Sequence, residues 1–413
     1  MGDRIVIVGG SLGGLRAAEQ LRGKGWRGEL VVVGAEPHLP YNRPPLSKTV
    51  LCDADTRHLE ATELVNHASV TLRRRPLVAD VVWTTDTTIT RADIAQRQLT
   101  TDEGDTLEYS ALVVATGLRP RRIPVEGCTN DRFVLRTIDD AIALRDRLQP
   151  GTKVVVVGGG FIGSEVAASA RLLGCVVTVV EPAAAPMLAP LGPDLARLLQ
   201  AFHEDHGVGF RLGRSVRALV PRPRQPHRLA AVQLDDGSEV EADVVVEAVG
   251  SKPNVEWLDG NGFDLSDGVL CDDSMRVEGR ADVLAVGDVA RFPNPRFDDV
   301  ARRVEHWCIP LDTARRVATT LMSAANDCPA THATIFAPVP SFWSDQFGSR
   351  IQGFGRTDLA DNTRILDGAL ESGWDSDGVV MGYFRGSEPV GVVIAGGTGA
   401  QRMRFRALLE SPY

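Results

Sequence analysis

The sequence predicts an α/β protein that contains two copies of one strand–turn–helix–strand unit. Short apolar, β-branched runs alternate with helical stretches, a pattern typical of parallel sheets. Two of the apolar runs lead directly into glycine-rich turns. Residues 4–36 and 153–181 each contain, in order, a strand, such a turn, a helix, a second strand and an acid. This internal repeat is the organising feature of the chain.

The predicted strands are near-continuous runs of Val, Ile and Ala, which are typical of strands covered on both faces. These strands span residues 4–8, 29–33, 111–115, 153–157, 176–180, 243–249 and 283–286, and the predicted helices span residues 16–22, 164–173, 193–205 and 312–323. After about residue 332 the pattern changes to short alternating segments with Gly and Pro turns. That change indicates a separate C-terminal α+β domain.

The second glycine-rich turn is the more regular one. In VVVVGGGFIGSEVAA, Gly158, Gly160 and Gly163 have GxGxxG spacing and follow a strand directly, with Phe161 and Ile162 between the last two. In such a turn the first glycine makes the tight bend, the second lets the backbone approach a pyrophosphate, and the third lets helix pack on strand. The N-terminus of the following helix then offers N–H groups to the phosphates.

Glu181 ends the strand that follows this turn, where a carboxylate can accept hydrogen bonds from ribose hydroxyls. A 2′-phosphate would be repelled there and would need a nearby arginine to bind. Residues 182–196 contain neither Lys nor Arg. The sequence therefore favours NADH over NADPH as the coenzyme of the second unit.

The first glycine-rich turn, IVIVGGSLGGLRAAEQL, departs from this spacing at its centre. Gly9 and Gly14 are in place, but Ser11 replaces the middle glycine, ahead of Leu12 and Gly13. A serine hydroxyl could hydrogen-bond a phosphate, and Glu36 ends the next strand. Two such units imply that two dinucleotides bind, as hydride transfer between them requires. One of the two must be a tightly bound prosthetic group, so FAD is assigned to the first unit.

Composition and charge exclude several classes of function. A chain of 413 residues is long enough for two or three domains. Its formal net charge of −9 argues against general nucleic-acid binding, which uses a basic face. No apolar run approaches the ~20 residues of a membrane span, and the strand predicted at residues 4–8 leaves no room for a signal peptide. We expect a cytoplasmic protein with neither nucleic acid nor membrane as a partner.

Cysteine and histidine spacing gives no sign of a metal site. The cysteines form no CxxC pair, so neither a zinc site nor a local redox disulfide is encoded: Cys52, Cys128, Cys175, Cys271, Cys308 and Cys328. His203 and His206 lie three residues apart on a predicted helix without further ligands. We expect both to face solvent and no metal to be bound.

Eight sequence blocks, in one order along the whole chain, give the protein a family resemblance. It resembles the NADH-dependent ferredoxin reductases of bacterial oxygenase systems, the family of putidaredoxin reductase and the biphenyl dioxygenase ferredoxin reductase. The blocks are PYNRPPLSK (40–48), VVATG (113–117), LRTIDDA (135–141), GGGFIGSEVAA (158–168), VGSKPNVEWL (249–258), VLAVGDVARF (283–292), RVEHW (303–307) and VPSFWSDQFG (339–348).

The resemblance implies a glutathione-reductase-type fold with two Rossmann units, one for FAD and one for NAD, and a C-terminal α+β domain. It implies an FAD-binding domain formed by residues 1–117 and 251–331. An NAD-binding domain of residues 118–250 would be inserted between these two segments, and residues 332–413 would form the C-terminal domain.

The resemblance also implies roles for individual residues. Lys48 would pair with Glu165 near flavin N5, and a cation there would stabilise the reduced flavin. Arg43 would contact the FAD pyrophosphate, Arg136 its adenosine part, and Asp288 a ribityl hydroxyl. The flavin ring would meet His306 and Trp307. The implied sites also include Ile89 for FAD and, by position in the matching blocks, Ala115, Thr116 and Gly117 for FAD, and Val249 and Gly250 for NAD.

The activity implied is electron transfer from NADH through FAD to a two-iron, two-sulfur ferredoxin that feeds a monooxygenase or a Rieske dioxygenase. Four alternatives stay open: a rubredoxin as acceptor, a disulfide reductase of the same fold, an NADH oxidase, and a non-catalytic NADH-sensing flavoprotein similar to apoptosis-inducing factor. A disulfide reductase would need a partner for Cys52, and none is near in sequence. The ferredoxin, the oxygenase and the oligomeric state are not specified by the sequence.

Overall fold

The structure of the chain is a computed structural model that describes residues 3–325 and 335–410, apart from residue 373 and residues 375–377. Cys328 and the expected domain boundary between residues 331 and 332 lie outside the described residues.

The α-helices begin and end as follows: α1 (Leu12–Gly23), α2 (Thr49–Cys52), α3 (Ala61–Leu64), α4 (Ile138–Arg145), α5 (Phe161–Leu172), α6 (Leu188–Asp205), α7 (Ile309–Ala325) and α8 (Gly399–Arg406). The strands are β1 (Arg4–Val8), β2 (Glu29–Val33), β3 (Val82–Thr84), β4 (Ile89–Asp93), β5 (Gln98–Thr101), β6 (Thr106–Glu108), β7 (Ala111–Val114), β8 (Leu118–Pro120), β9 (Arg132–Phe133), β10 (Lys153–Val157), β11 (Val176–Glu181), β12 (Gly209–Leu212), β13 (Val216–Arg222), β14 (Gln225–Leu234), β15 (Glu239–Glu241), β16 (Val244–Glu247), β17 (Ser251–Pro253), β18 (Val269–Leu270), β19 (Val283–Ala285), β20 (Ala290–Asn294), β21 (Asp298–Arg303), β22 (Ser341–Gln346), β23 (Ser349–Gly355), β24 (Asn362–Gly368), β25 (Val379–Arg385) and β26 (Glu388–Ala395).

The chain divides into two units, each assembled from separate stretches of sequence. Unit 1 comprises Met1–Asn42, Val70–Arg119 and Lys252–Pro340, and unit 2 comprises Arg43–Ser69, Pro120–Ser251 and Ser341–Tyr413. Residues 43–69 therefore group with unit 2, and the C-terminal strands group with the same unit.

Unit 1 is built on a parallel five-stranded sheet with the order β19-β7-β1-β2-β3. Its central strand β1 is buried from Ile5 to Val8, as expected for a strand covered on both faces. Helix α1 packs against α7. Two smaller sheets, β4-β5-β6 and β18-β20-β21, complete the unit. This sheet places the ends of β1, β7 and β19 side by side.

Unit 2 repeats the arrangement with a second parallel sheet, β12-β11-β10-β16-β9. The two parallel sheets confirm the α/β class and the repeated unit predicted from the sequence. A three-stranded antiparallel sheet follows, in which β13 and β14 pair as far as Arg222 and Gln225. The hairpin turn therefore lies between Arg222 and Gln225.

The C-terminal part of unit 2 is an antiparallel five-stranded sheet, β22-β23-β26-β25-β24, with α8 after it. Strand β22 alternates strictly: Phe342, Ser344 and Gln346 are buried, and the residues between them are partly exposed. Helix α6 is interrupted at Gly192, whose φ of 69° leaves the helical region, directly before Pro193. The Tyr383 hydroxyl of β25 donates a hydrogen bond to the carbonyl of Leu191 at this break.

Among the described residues, none of the helices combines the length and the apolar composition that a bilayer crossing requires.

Candidate active site

The first glycine-rich turn joins β1 to α1 in unit 1 and leaves no space for side chains at two positions. Gly9 has φ 127°, and a Cβ there would lie 2.1 Å from the Ala115 carbonyl oxygen. A Cβ on Gly14 would lie 2.0 Å from the Gly9 carbonyl oxygen. A Cβ on Gly13 would come no closer than 3.6 Å to Ala115. Helix α1 has Ser11 as its N-cap and Leu12 as its first residue. Its N-terminus therefore packs closely against the ends of β1 and β7.

The loop after β7 is fixed to the same edge of the sheet by Asn254. Thr116 Oγ1 donates to the Asn254 carbonyl at 2.7 Å, and Asn254 Nδ2 donates to the Thr116 carbonyl at 3.0 Å. The Asn254 N–H donates to the Gly117 carbonyl at 3.0 Å. Ala115, Thr116 and Gly117 therefore lie at the carboxyl end of β7, the edge at which parallel sheets of this kind form their ligand crevice.

A third segment, the turn that follows β19, lies at the same edge of the sheet. The 3-10 turn Gly287–Val289 carries Asp288, and the Gly287 N–H donates to Thr313 Oγ1 of α7 at 3.0 Å. A Cβ on Gly13 would also contact Val286, at 3.7 Å. The structure thus brings the glycine turn, the loop at 115–117 and the turn with Asp288 together at neighbouring strand ends.

Other residues expected at the first site are placed as follows. Glu36 accepts a hydrogen bond from the hydroxyl of Tyr41, which is 3% exposed. Trp307 is 42% exposed, and its Nε1 donates to Asn42 Oδ1 at 3.1 Å, with His306 beside it in the chain. Ile89 is different because it lies in β4, pairs with Thr101 and is buried in the hydrophobic core.

The second glycine-rich turn, between β10 and α5 in unit 2, has the same two tight positions. A Cβ on Gly158, whose φ is 101°, would lie 2.4 Å from the Ala248 carbonyl oxygen. One on Gly163 would lie 1.9 Å from the Gly158 carbonyl oxygen. By contrast, a Cβ on Gly160 would meet nothing within 4 Å. The turn is therefore tight against the protein at Gly158 and Gly163 and open at Gly160, directly before Phe161 and Ile162 at the N-terminus of α5, where helix N–H groups can bind an anion.

Glu181, the last residue of β11, is held beside this turn by backbone donors. Its Oε2 accepts from the Gly159 N–H at 2.6 Å and its Oε1 from the Ala183 N–H at 2.8 Å. Arg214, whose N–H donates to the Glu181 carbonyl at 3.3 Å, has its Nε 2.7 Å from Asp236 Oδ2. The Gly250 carbonyl, after Val249, accepts from the Arg121 N–H at 2.9 Å and forms the neighbouring strand end.

Lys48 and Glu165 form an ion pair in unit 2, in which the lysine is partly buried and the glutamate buried. The Lys48 Nζ lies 2.6 Å from Glu165 Oε2, and the two side chains are 19% and 4% exposed. Glu165 lies in the second turn of α5, and Lys48 ends the 3-10 turn Pro44–Ser47. The Ser47 hydroxyl donates to the same carboxylate oxygen at 2.5 Å.

The other oxygen of Glu165 is reached from the C-terminal sheet. Ser344 Oγ of β22 donates to Glu165 Oε1 at 2.7 Å, and Gln346 Nε2 donates to Ser344 Oγ at 2.8 Å. Gln346 Oε1 lies 2.6 Å from His203 Nε2 on α6. The carboxylate is therefore satisfied on both oxygens although it is buried.

His203 is buried and only 1% exposed, so the expectation that it faces solvent is wrong, whereas His206 is exposed as predicted. Burial lowers the pKa of His203 to about 4 because charging the imidazole there would cost solvation. The ring is therefore neutral at pH 7. Helix periodicity places residue 203 on the apolar side of α6, which spacing between the two histidines alone did not reveal.

Arg43 and Arg136 also meet in unit 2. Arg43 Nη1 donates to the Arg136 carbonyl at 2.5 Å, and the Arg136 N–H donates to Asp140 Oδ2 at 3.0 Å. Asp140 is part of the capping box that begins α4. The side chain of Arg43 is thus bonded to the backbone of the residue directly before the N-cap of α4.

Several residues that build these sites were not predicted from the sequence: Tyr41, Asn42, Ser47, Asn254, Ser344 and Gln346. Tyr41, Asn42 and Ser47 lie within the PYNRPPLSK block, and Ser344 and Gln346 lie within the FWSDQ block. For Ser344 and Gln346 the sequence did carry a signal. In residues 342–346 these polar residues share one face of the strand with Phe342, and a strand that serves only packing does not need polar residues there.

The two turns have the features that a dinucleotide requires. Each places a glycine-lined bend and the N-terminus of a twelve-residue helix at the ends of parallel strands, with an acid ending the following strand or just beyond it. The N–H groups of a first helical turn have no intrahelical acceptors and can bind phosphate oxygens. FAD in unit 1 and NADH in unit 2 fit these residues.

The chain is similar along most of its length to known flavoprotein reductases. The model of the pyridine nucleotide-disulphide oxidoreductase family matches residues 3–310. The ferredoxin–NAD(+) reductase component of the anthranilate 1,2-dioxygenase system of Burkholderia cepacia is 35% identical over 363 residues, which is 86% of this chain and 82% of the relative.

Two further comparisons extend this similarity. A rubredoxin–NAD(+) reductase of Pseudomonas putida is 32% identical over 357 residues, covering 85% of this chain and 86% of the relative. The crystal structure of the covalent putidaredoxin reductase–putidaredoxin complex contains a chain that superposes with a TM-score of 0.87. That chain is 29% identical, and the match covers 98% of this chain and 93% of that one.

Proposed function

Because the chain belongs to the pyridine nucleotide-disulphide oxidoreductase family, we propose that it is an FAD-dependent ferredoxin–NAD(+) reductase of an oxygenase system. Its fold is of the glutathione-reductase type, with one Rossmann unit for FAD and one for NAD. The observation that carries the proposal is the pair of equivalent glycine turns at Gly9 and Gly158, each closed against a neighbouring strand end.

FAD is the cofactor of unit 1 and NADH the electron donor bound by unit 2. When bound, FAD would supply the chemistry that links a two-electron hydride donor to one-electron acceptors, which suits an iron–sulfur acceptor that takes one electron at a time. The protein's part is to bind and orient the two dinucleotides. Glu181, held by two backbone N–H groups, presents a carboxylate to the coenzyme ribose and disfavours the 2′-phosphate of NADPH.

We assign the residues of the two sites as follows. Lys48 and Glu165 are the catalytic pair, in which the carboxylate holds the ammonium in place and the ammonium stabilises negative charge on the reduced cofactor. FAD is bound by Gly9, Ser11, Leu12, Gly13, Gly14, Glu36, Arg43, Lys48, Ala115, Thr116, Gly117, Arg136, Asp288, His306 and Trp307, with Ile89 supporting them from the core. NADH is bound by Gly158, Gly160, Phe161, Ile162, Gly163, Glu181, Val249 and Gly250.

The proposed domain division is residues 1–117 with 251–331 for FAD, 118–250 for NAD, and 332–413 for the C-terminal domain. A cytoplasmic location belongs to the same proposal, since NADH is a coenzyme of that compartment. The proposed acceptor is a two-iron, two-sulfur ferredoxin that serves a monooxygenase or a Rieske dioxygenase. Neither a nucleic acid nor a membrane is proposed as a partner.

A disulfide reductase activity is disfavoured by the environment of Cys52. Its Sγ donates to the Lys48 carbonyl at 3.2 Å. Burial, followed by the neighbouring Asp53, raises the pKa of the thiol. A redox-active cysteine needs the opposite shift, because the thiolate is the reacting form.

The proposal is tested by anaerobic titration of the purified yellow protein with NADH and then with NADPH, followed by steady-state reduction of cytochrome c. We expect NADH to bleach the flavin band rapidly, NADPH to do so far more slowly, and cytochrome c reduction to depend on added ferredoxin. A protein that stays unreduced by NADH would contradict the proposal. Fast reduction without ferredoxin-dependent turnover would favour the NADH-sensing alternative, and turnover with rubredoxin alone would favour the rubredoxin reductase.

A further inference from the structure

The buried carboxylate of Glu165 is the end of a hydrogen-bond chain that starts on another helix. Four side chains take part, from α6 through β22 to α5, and each is at most 4% exposed: His203, Gln346, Ser344 and Glu165. The three successive heavy-atom distances are 2.6, 2.8 and 2.7 Å. All three lie within the range of well-formed hydrogen bonds.

The donors in this chain all point toward the carboxylate. Gln346 Nε2 donates to Ser344 Oγ and also lies 3.7 Å from the sulfur of Met187, so the amide oxygen is the atom that faces His203. Neutral His203 must then donate from Nε2 to Gln346 Oε1. Ser344, having accepted from Gln346, donates its own proton to Glu165 Oε1. Each proton position is determined by the next acceptor.

We infer that Ser344 and Gln346 are positioning residues for the Lys48–Glu165 pair: they fix the carboxylate, and through it the ammonium, in one orientation. Lys48 and Ser47 occupy Oε2 of Glu165, and Ser344 occupies Oε1. With both oxygens held, the carboxylate plane cannot rotate without breaking a buried hydrogen bond, which is energetically costly.

The packing around β22 supports this role. Phe342, on the same face of the strand as Ser344, contacts Phe161 of α5 edge-on with ring centroids 5.0 Å apart. A Cβ on Gly353 of the paired strand β23 would lie 2.1 Å from the Phe342 ring. The strand is thus held against the first turn of α5, and Ser344 cannot withdraw from Glu165 by a small local shift.

This inference rests on the proposed function of the Lys48–Glu165 pair, and its test separates the two. The FAD-loaded variants S344A, S344T, E165Q and S344A/E165Q are compared in two measurements. The first is the rate constant with which NADH bleaches the flavin under single-turnover conditions. The second, which does not depend on turnover, is the extent of Lys48 acetylation by limiting acetic anhydride, measured by mass spectrometry.

We expect S344A to slow bleaching about tenfold, the effect of losing one hydrogen bond to a charged group, and to increase Lys48 acetylation severalfold. S344T, which keeps the hydroxyl, should restore most of both. In the E165Q background, S344A should add no further effect, because residues acting through one group are not additive. Gln346→Met, which removes the donor to Ser344 at similar volume, is the second variant if S344A folds poorly.

The matched control is Thr320→Val in unit 1. Thr320 is 1% exposed and its hydroxyl donates to the Ser274 carbonyl at 2.8 Å, so the substitution also removes one buried hydrogen bond. T320V should leave bleaching and Lys48 acetylation unchanged. Additive effects of S344A and E165Q, or wild-type behaviour of S344A, would overturn the inference. If E165Q itself bleaches at the wild-type rate, the proposed role of the pair fails, and Lys48 acetylation still decides whether Ser344 fixes it.

Discussion

The ammonium of Lys48 lies 2.6 Å from the carboxylate of Glu165, with only 19% and 4% of the two side chains exposed. This pair is less exposed to water than the many surface ion pairs of the chain. Surface pairs of that kind contribute little to stability. Breaking it leaves a buried charge alone.

Lys48→Met should therefore slow flavin bleaching by NADH at least tenfold while the Kd for NADH changes less. The reason is that the substitution removes a cation that acts on the reacting cofactor rather than on coenzyme binding. Stopped-flow absorbance over a range of NADH concentrations separates the two quantities. Arg350→Gln is the control, since Arg350 pairs with Asp345 at 2.6 Å on the exposed side of β22 and β23. Equal rates in K48M and wild type would contradict the assignment.

Gly160→Ala and Gly163→Ala should fail in different ways. A Cβ at residue 160 meets no protein atom within 4 Å, so G160A should keep its Tm and weaken NADH binding about tenfold or more by occupying the pyrophosphate space. A Cβ at residue 163 would lie 1.9 Å from a carbonyl oxygen, so G163A should lower the Tm by several degrees. Calorimetry and NADH titration of both proteins test this. Unimpaired NADH binding by G160A would show that the coenzyme does not use this turn.

Glu181→Arg should reduce the preference for NADH over NADPH by at least tenfold. The substitution removes a carboxylate that repels a 2′-phosphate and supplies a cation that can bind it. The ratio of kcat/KM for the two coenzymes measures the change. Glu241→Arg, at a side chain 75% exposed on β15, controls for the added charge. An unchanged ratio in E181R would place the coenzyme ribose elsewhere.

Burial of His203 predicts a loss of stability in mild acid. The pKa of this histidine is about 4 in the folded chain and about 6.5 when unfolded, so the unfolded state binds the proton first. Stability is unaffected above pH 6.5 and falls as the pH decreases from about 6.5 to 4, by on the order of 3 kcal/mol. His203→Gln should flatten the dependence of Tm on pH in that window. His206→Gln, at an exposed position stacked on Phe347, should not.

We predict that Arg404 belongs to the surface that binds the proposed ferredoxin, which we expect to be acidic. Several arginines in the C-terminal third of the chain already face carboxylates: Arg302 pairs with Asp298, and Arg303 with Asp267 and Glu305. Arg404, exposed on α8, instead lies over the Phe405 ring at 4.8 Å. Arg404→Glu should raise the KM for ferredoxin severalfold at low salt, with a smaller effect at high salt. The rate of bleaching by NADH, which does not involve ferredoxin, should not change.

The parallel sheets and the two glycine turns could be predicted because local sequence determines them. Helix α1 begins at Leu12 rather than at the predicted residue 16, since Gly13 and Gly14 are poor helix formers in isolation and are helical here because the turn packs on β1. The contact of His203 with Gln346 and the contact of Ser344 with Glu165 could not be predicted. Both depend on which face of one element meets another that is far away in the chain.

Ser344 follows Glu165 by 179 residues, which has a consequence for synthesis on the ribosome. Helix α5 leaves the exit tunnel long before β22 has been translated. Until then the carboxylate of Glu165 lacks its donor Ser344 and is hydrated instead. A transcript that stops before codon 344 yields a chain that contains both glycine turns. In that chain Glu165 never receives the hydrogen bond that Ser344 donates.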